Sequence, residues 1–206
     1  RCFFCKANIS IQYPIVEALT GLSFMLLAYK ITFVPILILY LIIFSILLVI
    51  AVYDYRHKII PDGLVFTFIL LAFSKIFIEY LNGVGNFKTD LLSGLGIFLF
   101  FASLWWISEG RWMGFGDAKL VLGIGWLLPF CQNISAVMLS FFIGSIVGIS
   151  LMIFARFLSS SRYIYMSLDK EIPFAPFLIF SAFVTFIFGI DVFNFMIGGT
   201  FVCIGT

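Results

Sequence analysis

The chain has 206 residues, 63% of them hydrophobic and 11% charged, with 28 phenylalanines and a net charge of +2. A soluble domain of this size has too little interior to hide so much apolar surface, whereas a membrane-embedded one has no need to. So small a net charge makes no case for nucleic acid as a partner.

Residues 1–10 are a short polar entry with Cys2-Phe3-Phe4-Cys5. A CxxC spacing suits half of a tetrahedral zinc site; a redox pair and two incidental thiols fit the same residues. Cys131 and Cys203 lie at or near apolar segments and read as small hydrophobes. Arg1 rather than Met opens the chain, and no signal-peptide pattern precedes the first apolar run. The expectation is an N-terminally truncated piece of a longer protein.

A first span is expected over about Ile11–Tyr29, carrying Glu17 one turn in. Pro35 to Tyr53 is an almost unbroken run of Ile, Leu, Val and Phe, about the length that crosses a bilayer. It stops at Asp54-Tyr55-Arg56-His57-Lys58-Ile59-Ile60-Pro61-Asp62-Gly63, and the next span ends near Tyr80. Further spans are expected over Asp90–Ile107, from Asp117 to about Pro129, from beyond Asn133 to about Phe157, and from Ile172 to about Ile190. The glycine-rich tail, 191–206, is too short to assign as a crossing. The fold class is therefore all-α, a polytopic transmembrane bundle of about seven spans. It forms one membrane-embedded domain, 11–206, after a cytoplasmic remnant, 1–10.

Basic residues test that order. With loops assigned to alternate sides, one side holds Arg1, Lys6, Arg56, Lys58, Arg111, Lys119, Arg156, Arg162 and Lys170; the other holds Lys30, Lys75 and Lys88. Cytoplasmic loops carry the excess of Lys and Arg, so the first set faces the cytoplasm. Asp54, ending an inward-going span, and Asp117, opening an outward-going one, then share the cytoplasmic edge.

An acid beside hydrocarbon is costly and marks a functional site by default. Two carboxyls that meet across a bundle can perform aspartyl proteolysis: one, ionised, takes a proton from water while the other, protonated, donates to the peptide. Like charges a few ångströms apart do not both ionise, so the pair titrates as a unit. Asp62 rivals Asp54, but Pro61 beside it marks a helix start, where an acid favours the helix dipole. His57 is the single histidine, which argues against a Ser–His–Asp site. A proton or cation path through a transport subunit calls for acids deep within spans, often with inverted repeats. The sequence has neither, and a purely structural membrane component leaves both acid-bearing stretches unexplained.

Asp54, then Ile60-Pro61-Asp62, then Gly114-Phe115-Gly116-Asp117-Ala118-Lys119-Leu120 resembles the type IV prepilin leader peptidases, which are GxGD aspartyl proteases. Arg1-Cys2-Phe3-Phe4-Cys5 leading to Tyr13-Pro14-Ile15-Val16-Glu17 resembles that family's second cysteine pair and following helix. Ile172-Pro173-Phe174-Ala175-Pro176-Phe177 resembles its late IPFGP motif, with Ala175 for glycine. The resemblance implies Asp54 and Asp117 as the catalytic pair, with Gly114, Gly116, Lys119, Pro61 and Asp62 in the substrate and active-site loops. It implies a bacterial inner-membrane, multi-pass enzyme with its site facing the cytoplasm, among membrane lipid. Its substrate would be the leader of a type IV prepilin or a type II secretion pseudopilin. Proteolysis would need no cofactor. Many relatives also N-methylate the product with S-adenosylmethionine, an activity associated with an N-terminal region holding two CxxC pairs. Only Cys2 and Cys5 are present, half of such a zinc site, so little methylation is expected of this stretch. A preflagellin peptidase is the neighbouring alternative, disfavoured by the cysteine pair and Tyr13-Pro14.

Overall fold

The structure is a computed structural model, and it describes residues 10–83, 86–158 and 173–191. Those residues form seven helices and no strand: α1 Gln12–Lys30, α2 Val34–His57, α3 Asp62–Leu81, α4 Phe87–Ser108, α5 Phe115–Leu127, α6 Phe130–Leu158 and α7 Ala175–Phe188. Every expected span falls on one of them. Four helices, α2, α3, α4 and α6 as far as Phe154, are long and apolar enough to cross a membrane. A polytopic helical bundle is thus the fold, for the reason anticipated: in hydrocarbon a helix satisfies its backbone hydrogen bonds within itself.

Contacts between helix ends fix the alternation. Arg56 at the end of α2 donates through Nε to Gln12 Oε1 at the start of α1, 3.0 Å away. Lys119 near the start of α5 reaches Asp62 at the start of α3. At the other end, Lys30 closing α1 donates to the Ile187 carbonyl of α7 at 3.1 Å, and Trp126 of α5 donates to the Leu91 carbonyl of α4 at 3.3 Å. The starts of α1, α3 and α5 therefore share one end of the bundle with the last turn of α2.

α5 is the innermost helix. It packs on α3 and α4, and Ala118, Leu120, Val121, Ile124 and Leu127 are buried along its length. Small residues let its neighbours come close. A Cβ at Gly123 would stand 2.3 Å from the Phe68 ring, and one at Gly125 would stand 2.6 Å from the Gly94 Cα. At 13 and 14 residues, α5 and α7 are shorter than the other helices. Thirteen residues rise only about 20 Å, against roughly 30 Å of hydrocarbon. The shortfall matters because both helices begin at the same end, beside the last turn of α2, and leave room there.

Asp54 ends its span as expected, inside the last turn of α2, which runs on to His57. Two details depart from the sequence reading. Lys75 is not a loop cation: it is buried in α3, its Nζ 2.6 Å from Glu79 one turn on. A long span holds an ionised pair most cheaply where the two partners neutralise each other. Cys131, read as a small hydrophobe, is disulfide-bonded.

Candidate active site

The room left by α5 and α7 is a cleft of about 750 Å³. Asp54 and Asp117 both line it, although their residues are only 5% and 7% exposed. The helices deliver them differently. Asp117 is the third residue of α5, after the Gly114 cap, Phe115 and Gly116. An acid at that position reaches back to the free N–H of the cap residue and favours the positive helix end; the Asp117 carboxyl is indeed engaged with the Gly114 backbone. Asp54 has no such local reason. It sits in the last turn of α2, where a negative charge opposes the helix dipole.

What faces Asp54 comes from elsewhere in the chain. Ala175, the first residue of α7, presents its backbone N–H to the Asp54 carboxyl. The first N–H groups of a helix have no partner within it, and Pro176 next door has none to offer. One free donor at a helix start is thereby aimed at the acid. The two carboxyls are also near enough to interact electrostatically with each other. Two acids from separate helices in one cleft make a site suited to passing protons to and from a bound amide.

The other residues singled out in the sequence divide. Gly114, Gly116, Asp62 and Lys119 line the same cleft. Pro61 does not; it caps α3 behind it. Gly116 lies close against Ile60 of this chain: a Cβ there would lie 3.0 Å from Ile60 Cβ. Gly114 is open, with Asp117 Oδ2 the nearest atom to such a Cβ at 3.7 Å. His57 stacks on Tyr53, ring centres 4.5 Å apart, beside a smaller groove with Arg56. Cys2 and Cys5 lie outside the described residues. Among the described residues, no group of three His, Cys, Asp or Glu side chains is placed to hold a metal ion.

Sequence reasoning did not assign Ile60, Phe174 or Phe141 to the site, yet all three line the cleft. The prolines around Phe174 are a readable signal for a helix start, though not for which acid it faces. Ile60 belongs to the Ile60-Pro61-Asp62 stretch already singled out, but nothing there says that it meets Gly116; nothing in the sequence marks Phe141, which differs from dozens of other apolar residues only in where the fold puts it.

A helical membrane bundle with two buried acids in one cleft defines the class. Residues 41–153 match the Type IV leader peptidase family, and residues 1–31 match the Bacterial Peptidase A24 N-terminal domain. The chain belongs to the Type IV leader peptidase family. It is 27% identical over 202 residues to a "Prepilin leader peptidase/N-methyltransferase" of Legionella pneumophila, covering 96% of this chain and 66% of that protein. A protein of the same name from Bacillus subtilis (strain 168) is 25% identical, with 96% of this chain and 74% of that one covered. One from Neisseria gonorrhoeae is 31% identical over 157 residues, covering 72% and 51% respectively. Against the Legionella protein and its counterparts from Aeromonas, the chain spans 62–66% of the relative's length, less than two thirds. No solved structure matches it.

Proposed function

We propose that this chain carries the peptidase activity of a membrane aspartyl endopeptidase that cuts the leader from type IV prepilins or type II secretion pseudopilins. The observation that carries the reading is the pairing of Asp54 and Asp117 in one cleft, buried and electrostatically coupled. Membership of the family and the names of the relatives supply the substrate class. In the mechanism, the scissile amide enters the cleft between α2, α5 and α7. The ionised carboxyl takes a proton from water, and the protonated one donates to the amide carbonyl as the tetrahedral intermediate forms. The protons then pass to the leaving nitrogen. Burial excludes bulk water and strengthens each electrostatic contact in the site. The substrate's own apolar helix lies in the membrane beside the cleft, so its leader is presented at the bilayer edge.

The cleft end of the bundle faces the cytoplasm in this reading. The excess of basic residues lies on that side. N-methylation with S-adenosylmethionine, which the relatives' names carry, and zinc bound through Cys2 and Cys5 are separate from the peptidase step in this proposal.

The test is cleavage of a membrane-inserted prepilin by the purified protein, read by mass spectrometry of the product's N-terminus. The reading expects a cut just ahead of the apolar helix. An intact substrate, or cuts scattered through the leader, would overturn it.

A further inference from the structure

The proton chemistry leaves one cluster in the cleft unused. Lys119 lies two residues beyond Asp117, and its Nζ crosses to Oδ1 of Asp62 at 2.7 Å. The same ammonium stands 5.1 Å from the centre of the Phe115 ring and 5.4 Å from that of Phe66. One ring comes from each of the two helices, and Lys119's side chain is only 20% exposed. Asp62 is open to its surroundings, and exposed ion pairs alone contribute little; here the ammonium also rests against two aromatic rings, which adds to its hold.

The covalent connection adds to this. Four residues, 58–61, join α2 to α3, so little slack separates Asp54 from Asp62. Ile60, in that connection, lies against Gly116. The segment leading from Asp54 into α3 thus touches the start of α5 twice, through Ile60 on Gly116 and through Asp62 on Lys119. Asp117 lies between those two contact points in sequence.

We propose that Asp62 and Lys119 are positioning residues: their ion pair fixes the first turns of α5 against the α2–α3 connection and so sets the separation of the Asp54 and Asp117 carboxyls. The inference rests on reading those two acids as an aspartyl pair and assigns what holds them at working distance. Water and a peptide carbonyl must fit between the carboxyls, and misplacement by about 1 Å costs such a site up to roughly 10²-fold. In this role Asp62 and Lys119 act through the placement of Asp117 rather than on the substrate, so loss of the pair lowers turnover rather than substrate affinity. A lysine that instead bound an acidic group of the substrate would act on KM.

The experiment uses the full chain with a membrane-inserted prepilin and measures kcat, KM and the pH–rate profile. The variants are Asp62→Asn, Lys119→Gln, the double variant, the exchange Asp62→Lys/Lys119→Asp, and Asp54→Asn as control. Each single variant is expected to lower kcat by about 10- to 100-fold, with KM within about twofold. The pH–rate profile should shift, because a changed spacing changes how the two carboxyls titrate together. The double variant should be no worse than the worse single one, and the exchange should regain part of the loss. Additive losses, unchanged kcat, or an effect confined to KM would each overturn the positioning role. Asp62 is 64% exposed and its amide is close in size, so Asp62→Asn carries the test alone if Lys119→Gln does not fold. Wild-type cleavage by Asp54→Asn would overturn the aspartyl reading itself. A dead Asp54→Asn beside an unimpaired Asp62→Asn overturns only the positioning role.

Discussion

Replacing Gly116 with alanine adds a single methyl at the point where the start of α5 meets the α2–α3 connection. Built on the present backbone, that carbon stands 3.0 Å from Ile60 Cβ, 3.1 Å from Cδ1 and 3.4 Å from Cγ1. Two of the three distances fall short of ordinary contact, so Ile60 or the first turn of α5 must give by a few tenths of an ångström. Overfilling a packed site by a methyl costs about 1–3 kcal/mol. Here the displaced element carries Asp117, so a structural shift becomes a catalytic one, with cleavage down by roughly 10- to 10²-fold. Gly96→Ala, at an exposed position of α4 away from the cleft, is the internal control. An added carbon there would meet nothing within 4 Å. It should keep cleavage within about threefold of wild type, since surface changes away from packed features cost little. Ile60→Val, which removes Cδ1, should partly restore Gly116→Ala. The assay is the initial rate on membrane-inserted prepilin, normalised to folded protein by thermal unfolding in detergent. Equal losses at both glycines, or no rescue by Ile60→Val, would refute the steric argument.

Further outcomes follow from other parts of the bundle. Lys75→Met leaves the half-buried Glu79 without its ion partner and should destabilise by about 1–2 kcal/mol. The paired change Lys75→Met/Glu79→Leu should recover part of that in thermal unfolding, because it removes the Glu79 charge but not that of Asp90, which Lys75 also faces. Cleavage should persist in excess chelator and in Cys2→Ser/Cys5→Ser, since two carboxyls hydrolyse a peptide without metal. With S-adenosylmethionine present, mass spectrometry of the product should show little N-methylation, because two thiolates make half of a tetrahedral zinc site. Loss of cleavage on chelation would tie the metal to the protease site. Neutralising Arg56 or Lys58 should cost less than Gly116→Ala, since both side chains are exposed. The initial rate on the same substrate checks the ranking.

Much of the site is legible in the sequence because charge near hydrocarbon is expensive. Asp54 and Asp117 stand out from long apolar runs, and the alternation of spans places them at one end of the bundle. The helices are equally plain, since each is a long apolar stretch ended by polar or proline-containing residues. The same apolarity hides the rest. Helices that are hydrophobic on every face carry no periodic mark of which side meets a neighbour and which meets lipid. Nothing in the sequence therefore joins Ile60 to Gly116, Phe68 to Gly123, or Gly94 to Gly125. Lys119 and Asp62 each belong to a recognisable stretch, but an ion pair spanning 57 residues cannot be inferred from either residue alone. Lys75 reads as a loop cation when an apolar run is judged by its length, whereas its compensating partner, Glu79, lies one helical turn away. The free N–H of Ala175 is implicit in a proline-flanked helix start. Its target becomes visible only with α7 folded beside α2.

Asp54 and Asp117 acting together is the central claim, and one measurement addresses it directly. Asp54→Asn and Asp117→Asn, each near-isosteric, are purified, shown to be folded by thermal unfolding, and given membrane-inserted prepilin in single-turnover excess. Because each carboxyl needs the other to move its proton, both variants and their double should fall to the same uncatalysed background. Cleavage near the wild-type rate by either single variant, in folded protein, would contradict the claim.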